Sequence, residues 1–204
     1  MLEAQDLAAR RGDATLFRGL ELSVGAGKAL VITGPNGTGK TTLLRILAGL
    51  TLPAAGLIRW RGESVAPYSL QLRTQCVFAG HLPALKDELT AEENLRSLVE
   101  LAGLRPSPEV LRAALADVAL EAQRALPSRV LSQGQRRRIG LARLALLHRP
   151  LWLLDEPATA LDTMGLALLA KLIARQLAAG GAVIAATHQL LDVPADCLER
   201  LVMT

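Results

Sequence analysis

Aromatic side chains are nearly missing from this sequence: two Trp, one Tyr and two Phe make up 2% of its 204 positions. A platform on which successive bases could stack is poorly supplied, so the net charge of +4 and the pI near 9.6 do not argue for nucleic acid as a partner. The basic residues are scattered, as on a solvated face, and the one tight run is Arg136, Arg137 and Arg138. Cysteine is also scarce. Cys76 and Cys197 are far apart, match no metal-ligand or redox spacing, and read as reduced packing residues. No apolar run approaches the roughly 18 to 20 residues that cross a bilayer. The opening MLEAQDLAARRGD carries acids and arginines where a signal peptide needs its apolar stretch. The expectation is a chain that stays in the cytosol.

What is present is aliphatic. Half of the residues are hydrophobic, mostly Ala, Leu and Val, enough for one sizeable core. No repeat, low-complexity segment or Gly/Ser linker divides the chain. LELSV (20–24) and ALVIT (29–33) read as strands, the second buried on both faces, and TTLLRILAGL (41–50) as a helix with Gly49 at its C-terminal cap. LIRWRG (57–62) reads as a strand and turn. Thr90 and Glu93 have capping-box spacing before a helix to about Leu101, Ser107-Pro108 opens a second helix, and a third segment runs to about Leu126. Residues 82–127 are thus expected as a mostly helical lobe, beside a core lobe of about 1–81 and 128–204. A helix over 133–148, a strand at 151–156, a helix over 164–179 and a strand at 182–187 complete an alternating pattern that predicts an α/β fold with a parallel sheet.

GPNGTGKT (34–41) follows a predicted buried strand and precedes a predicted helix, the context that a phosphate loop requires. Gly34, Gly37 and Gly39 let backbone N–H groups wrap a phosphate where a Cβ would obstruct the turn. Pro35, Asn36 and Thr38 complete the loop, Lys40 would reach the β- and γ-phosphates, Thr41 would ligate Mg²⁺, and Thr42 continues a helix whose N-terminus attracts anions. LWLLDEP (151–157) supplies the other requirement of phosphoryl transfer. Asp155 would hold the metal, directly or through water, and Glu156 would polarise the attacking water.

LSQGQ (131–135) has the S-x-x-Q spacing of a capping box in Ser132 and Gln135, which leaves Gly134 unexplained. Taken in order, GPNGTGKT, LSQGQ, LLDEP, ALD (160–162) and TH (187–188) resemble the ATP-binding subunits of ABC transporters over about residues 2–190. The resemblance implies a P-loop NTPase domain with a RecA-like core, an N-terminal β subdomain and a helical subdomain, hydrolysing ATP with Mg²⁺. It implies that Ser132, Gly134 and Gln135 form the family signature, which faces the γ-phosphate on a partner's phosphate loop, so that two copies meet head to tail. His188 matches the switch histidine, and Asp162 the D-loop that crosses between subunits.

Two positions depart from the family pattern. The aromatic that stacks on adenine falls near Arg11, whose guanidinium plane could substitute through a cation-π contact. The Q-loop glutamine, which links to the transmembrane partner, falls at His81, and histidine can donate or accept a hydrogen bond or bind a metal. The GH at 80–81, LTAEENL, LSQGQRRRIGLARL, the ATHQ ending and a short tail are similar to the heme-exporter ATPase subunits of cytochrome c maturation. That resemblance implies integral membrane permease subunits as partners, a peripheral place on the cytoplasmic face of the inner membrane, and cargo that is heme or a heme-loaded chaperone. No C-x-x-C-H occurs, so direct heme ligation is not expected. The alternatives are the ATPase of another exporter, a soluble ABC-type ATPase of an assembly pathway, and a non-hydrolysing regulator, against which Glu156 counts.

Overall fold

The computed structural model describes residues 1–204. In chain order the elements are β1 (Leu2–Arg11), β2 (Ala14–Val24), β3 (Ala29–Thr33), α1 (Lys40–Leu47), β4 (Ala55–Trp60), β5 (Glu63–Val65), α2 (Leu70–Gln75) and β6 (Cys76–Ala79). There follow α3 (Ala91–Glu100), α4 (Pro108–Asp117), α5 (Gln133–Leu147), β7 (Leu151–Asp155), α6 (Thr163–Ala178), β8 (Ala182–Ala186) and β9 (Leu198–Val202). They divide into two compact units, residues 1–80, 149–157 and 173–204, and residues 81–148 and 158–172.

The first unit holds two sheets. One is antiparallel in the order β2-β1-β4-β5; the other is parallel in the order β6-β7-β8-β3-β9. β3, β7 and β8 are buried nearly throughout, which is why they read as continuous apolar runs. Leu2, Leu7, Ile32, Leu44, Leu153 and Ile184 belong to one apolar core that draws on both sheets. α1 ends in a Schellman motif: Gly49 takes φ 67, its N–H bonds the Ile46 carbonyl at 2.9 Å, and the Leu50 N–H bonds the Arg45 carbonyl at 2.8 Å.

β1 had no clear signal because its alternation breaks at Asp6, which takes φ 49 where the register with β2 and β4 shifts. Gly56 passes that bend so closely that an added Cβ would lie 2.4 Å from the Asp6 carbonyl oxygen. β5, α2, β6 and β9 are likewise additions to the predicted pattern; each is short, or is stabilised chiefly by pairing with a distant strand.

In the second unit α3, α4 and α5 pack on one another through buried Leu95, Val99, Leu111, Leu115, Ile139 and Ala142. This unit is wider than the lobe of 82–127 expected from the sequence, because the apolar face of α5 packs on α3 and α4. The third segment of the expected lobe, running to Leu126, is not helical. Residues 121–125 make successive turns closed by bonds such as Gln123 N–H to the Leu120 carbonyl, and Pro127 follows. Thr90 and Glu93 form the predicted capping box of α3, and buried Asn94 bonds the backbone of Lys86, Leu89 and Thr90 and the Ser128 hydroxyl. No helix is long and apolar enough to cross a membrane.

Candidate functional site: a phosphate loop and a capped helix start

Parallel order brings the first group together. β7 neighbours β8 and β8 neighbours β3, so the carboxyl ends of all three strands open on one sheet edge, where ligands of such sheets bind. Gly34 leaves β3 at φ 144, and a Cβ there would lie 2.2 Å from the Met203 carbonyl oxygen. Gly39 at φ 94 starts α1 without any side-chain cap, leaving the helix N-terminus to the loop. The buried Lys40 ammonium donates to the carbonyls of Gly34 at 2.7 Å and Pro35 at 2.9 Å, and Thr38 Oγ1 donates to the Pro35 carbonyl at 3.1 Å. Thr42 lies in the first turn of α1.

Thr41 Oγ1 donates to Asp155 Oδ2 at 2.9 Å, joining α1 to the end of β7 over 114 positions of sequence. Asp155 is 4% exposed. This hydroxyl and carboxylate are hard oxygen donors, the set that suits Mg²⁺ bound through one or two protein ligands and phosphates.

Glu156 takes φ 48, a conformation that costs a non-glycine residue about 1–2 kcal/mol. It is held there by its N–H to the Ala186 carbonyl at 2.8 Å. Its carboxylate accepts the Thr187 hydroxyl at 3.2 Å, and its other oxygen lies 3.9 Å from His188 Nε2. His188 Nε2 also lies 3.3 Å from Asn36 Oδ1, so the histidine bridges the carboxylate and the phosphate loop. Thr187 is fully buried; the sequence brings it in only as part of TH (187–188), with no role of its own assigned.

The second group lies in the helical unit. Ser132 caps α5: its hydroxyl accepts the Gln135 N–H at 3.1 Å, and Gln135 Oε1 accepts the Ser132 N–H at 2.9 Å. A Cβ on Gly134 would lie 3.1 Å from the Ala160 carbonyl oxygen, which supplies the reason for glycine that a cap alone lacks. The three arginines that follow have three destinations. Arg136 pairs with Asp87 at 2.6 Å, Arg137 donates to the His81 carbonyl, and Arg138 pairs with Asp162 at 2.8 Å. His81 itself is exposed, as is Arg11 at the end of β1.

These features define an ATP-binding cassette. The family model of the ABC transporter matches residues 17–159, and the chain belongs to the ABC transporter family, as an ATP-hydrolysing subunit. Its relatives there include the cytochrome c biogenesis ATP-binding export protein CcmA of Aromatoleum aromaticum, 52% identical over 195 residues, covering 95% of this chain and 90% of that one. The protein of the same description from Pseudomonas aeruginosa is 46% identical over 201 residues, covering 98% and 99%. Among solved structures, an ATP-binding subunit of an ABC transporter superposes with a TM-score of 0.85 at 27% identity, over 99% of this chain and 85% of that one. A cassette solved as a dimer in a post-hydrolysis state with ADP and Pi gives 0.76 at 26% identity, over 93% and 88%.

Proposed function

We propose that the chain drives a membrane transporter of cytochrome c maturation by hydrolysing ATP between two head-to-tail copies. The observation that carries the hydrolytic part is the meeting of Thr41, Asp155, Glu156, Thr187, His188 and Asn36 on one sheet edge beside the phosphate loop. In this reading the glycine-rich loop and Lys40 bind the β- and γ-phosphates, and Thr41 and Asp155 hold Mg²⁺, which neutralises charge on the phosphate oxygens. Glu156 accepts a hydrogen bond from the attacking water, Thr187 fixes the carboxylate, and His188 contacts the γ-phosphate. Arg11, exposed at the end of β1, stands where the family carries the adenine-stacking aromatic, and a guanidinium plane can make a cation-π contact in its stead.

Ser132, Gly134 and Gln135 form the second anion site. They start a helix, where backbone N–H groups and the dipole favour negative charge, and they complete the ATP site of a partner copy rather than their own. Asp162 belongs to the same contact. The relative solved as a dimer with ADP and Pi supports this arrangement. We assign residues 1–204 to one ATPase domain with a core lobe and a helical lobe. His81 stands at the Q-loop position, linking nucleotide to permease subunits at the cytoplasmic face of the inner membrane.

The pathway rests on the relatives named for cytochrome c biogenesis at 43–52% identity over nearly the whole chain. Heme, or release of a heme-loaded chaperone, is the work assigned to the membrane partners. Affinity purification of Glu156→Gln from native membranes in Mg²⁺-ATP, with the pigment spectrum recorded, tests it. Recovery of cytochrome maturation subunits is expected. Recovery of an unrelated permease, or of a soluble assembly complex alone, would keep the ATPase and overturn its assigned pathway.

A further inference from the structure

Arg138 is buried, with 7% of its side chain exposed, whereas 56% of the Asp162 side chain is exposed. The carboxylate is doubly held: Oδ2 accepts from Arg138 Nη2 at 2.8 Å, and Oδ1 accepts the Gly165 N–H at 2.9 Å. A second contact joins the same two segments. Ala160 takes φ 61, and its carbonyl oxygen passes close over Gly134, where a Cβ would lie at 3.1 Å, tighter than an ordinary contact. Gly165 leaves similar room, since a Cβ there would lie 2.9 Å from Leu161 Cδ2 and 3.0 Å from Asp162 Oδ1. The start of α5 and residues 160–162 are therefore joined by an ion pair and by a close backbone approach. The capping box fixes Ser132 on the same helix turn.

We propose that Arg138 is a positioning residue that holds Asp162 against α5, so that Ser132, Gly134 and Asp162 form one preassembled surface for the partner copy. The guanidinium is the buried member, so its orientation is set by packing, and a buried charge deprived of its partner is strongly disfavoured. Asp162 is the exposed member and is the group delivered outward. Arg138 touches neither nucleotide nor water in this scheme; it acts through Asp162. This inference rests on the head-to-tail reading above.

The test is a double-mutant cycle in the Glu156→Gln background, using Arg138→Gln, Asp162→Asn and both together. ATP-driven dimerisation is followed by analytical ultracentrifugation, beside ATP affinity and melting temperature of each monomer. Each single change is expected to weaken dimerisation about tenfold while monomer ATP affinity changes less than about twofold, and the double variant is expected to be no weaker than the weaker single. Arg138→Lys should restore part of the loss. Additive losses, or dimerisation unchanged in either single variant, would overturn the proposal. If Arg138→Gln does not fold, Arg138→Met, which fills much of the same space without a charge, takes its place in the cycle and is judged by the same outcomes. Failure of the Glu156→Gln parent to dimerise with ATP would instead remove the head-to-tail reading, and this inference with it.

Discussion

Thr187 donates its hydroxyl to Glu156 Oε2 at 3.2 Å and accepts the Gln189 N–H at 3.0 Å, so a fully buried threonine aims the carboxylate assigned to the attacking water. Thr187→Val keeps the shape and removes both bonds. A hydrogen bond to a charged group contributes about 1.5–3 kcal/mol, which sets the expected fall in kcat at roughly 10- to 100-fold. ATP affinity should hardly change, since Thr187 makes no contact with the phosphate loop in the hydrogen-bond network described. Steady-state hydrolysis measured beside equilibrium nucleotide binding checks this; equal losses in both would show that Thr187 supports binding instead.

Lys40→Ala should act on binding. The ammonium bridges the Gly34 and Pro35 carbonyls and is the cation assigned above to the β- and γ-phosphates. Loss of charge-assisted bonds to phosphate should weaken ATP affinity by at least about tenfold and reduce turnover to background. Glu156→Gln should keep ATP bound. A fluorescent ATP analogue titrated into both variants separates the two effects.

Two glycines of one loop should respond differently to alanine. At Gly34 the new methyl would lie 2.2 Å from the Met203 carbonyl oxygen, directly after β9, and backbone must move. At Gly37 nothing lies within 4 Å, and the difficulty is only the φ of 92°. Gly37→Ala is expected to cost about 1–2 kcal/mol, and Gly34→Ala distinctly more, up to roughly 3 kcal/mol from overpacking alone. Urea unfolding of the two variants checks the order; equal midpoints would mean that the β9 edge yields freely.

Burial pushes the Cys76 thiol up to about 11, against lesser opposing effects from Arg149 and Arg73. A thiol exposed in the unfolded chain ionises at about 9. Between those values the unfolded state has released its proton while the folded state retains it, so the Cys76 contribution to stability falls as pH rises through this window and levels off above about 11. Cys76→Ala should lose this component of the alkaline decline. At neutral pH iodoacetamide should modify the partly exposed Cys197 long before Cys76. Rapid labelling of Cys76 in folded protein would contradict its buried place in β6.

A single large deletion in the parallel sheet should be costly. Leu153 is fully buried at the centre of β7, two residues before Asp155. Leu153→Ala is expected to destabilise by about 2–5 kcal/mol. Thermal unfolding is the measure, and a change below about 1 kcal/mol would show that the core collapses around the site.

The sequence by itself determined whatever depends on neighbours along the chain. ALVIT (29–33) reads as a strand because both faces are apolar, and β3 occupies those residues. The boxes Thr90-Glu93 and Ser132-Gln135 are legible because a cap closes over three residues, and both form. Gly49 was legible as the end of α1 for the same reason. The phosphate loop could be recognised from its glycines, Lys40 and Thr41 and their strand-to-helix setting.

Tertiary structure decided what depends on partners far away. β1 is visible only through its pairing with β2 and β4, since Asp6 interrupts its alternation. The segment 120–126 contains apolar residues at suitable spacing, but it closes into turns instead of a helix. Arg136, Arg137 and Arg138 look alike in a sequence, and their separate destinations at Asp87, His81 and Asp162 depend on which loops the second unit brings to α5. The Thr187–Glu156 bond arises because β7 and β8 lie side by side in a parallel sheet, with their carboxyl ends on one edge. Local chemistry supplied the groups, and strand order set which of them meet.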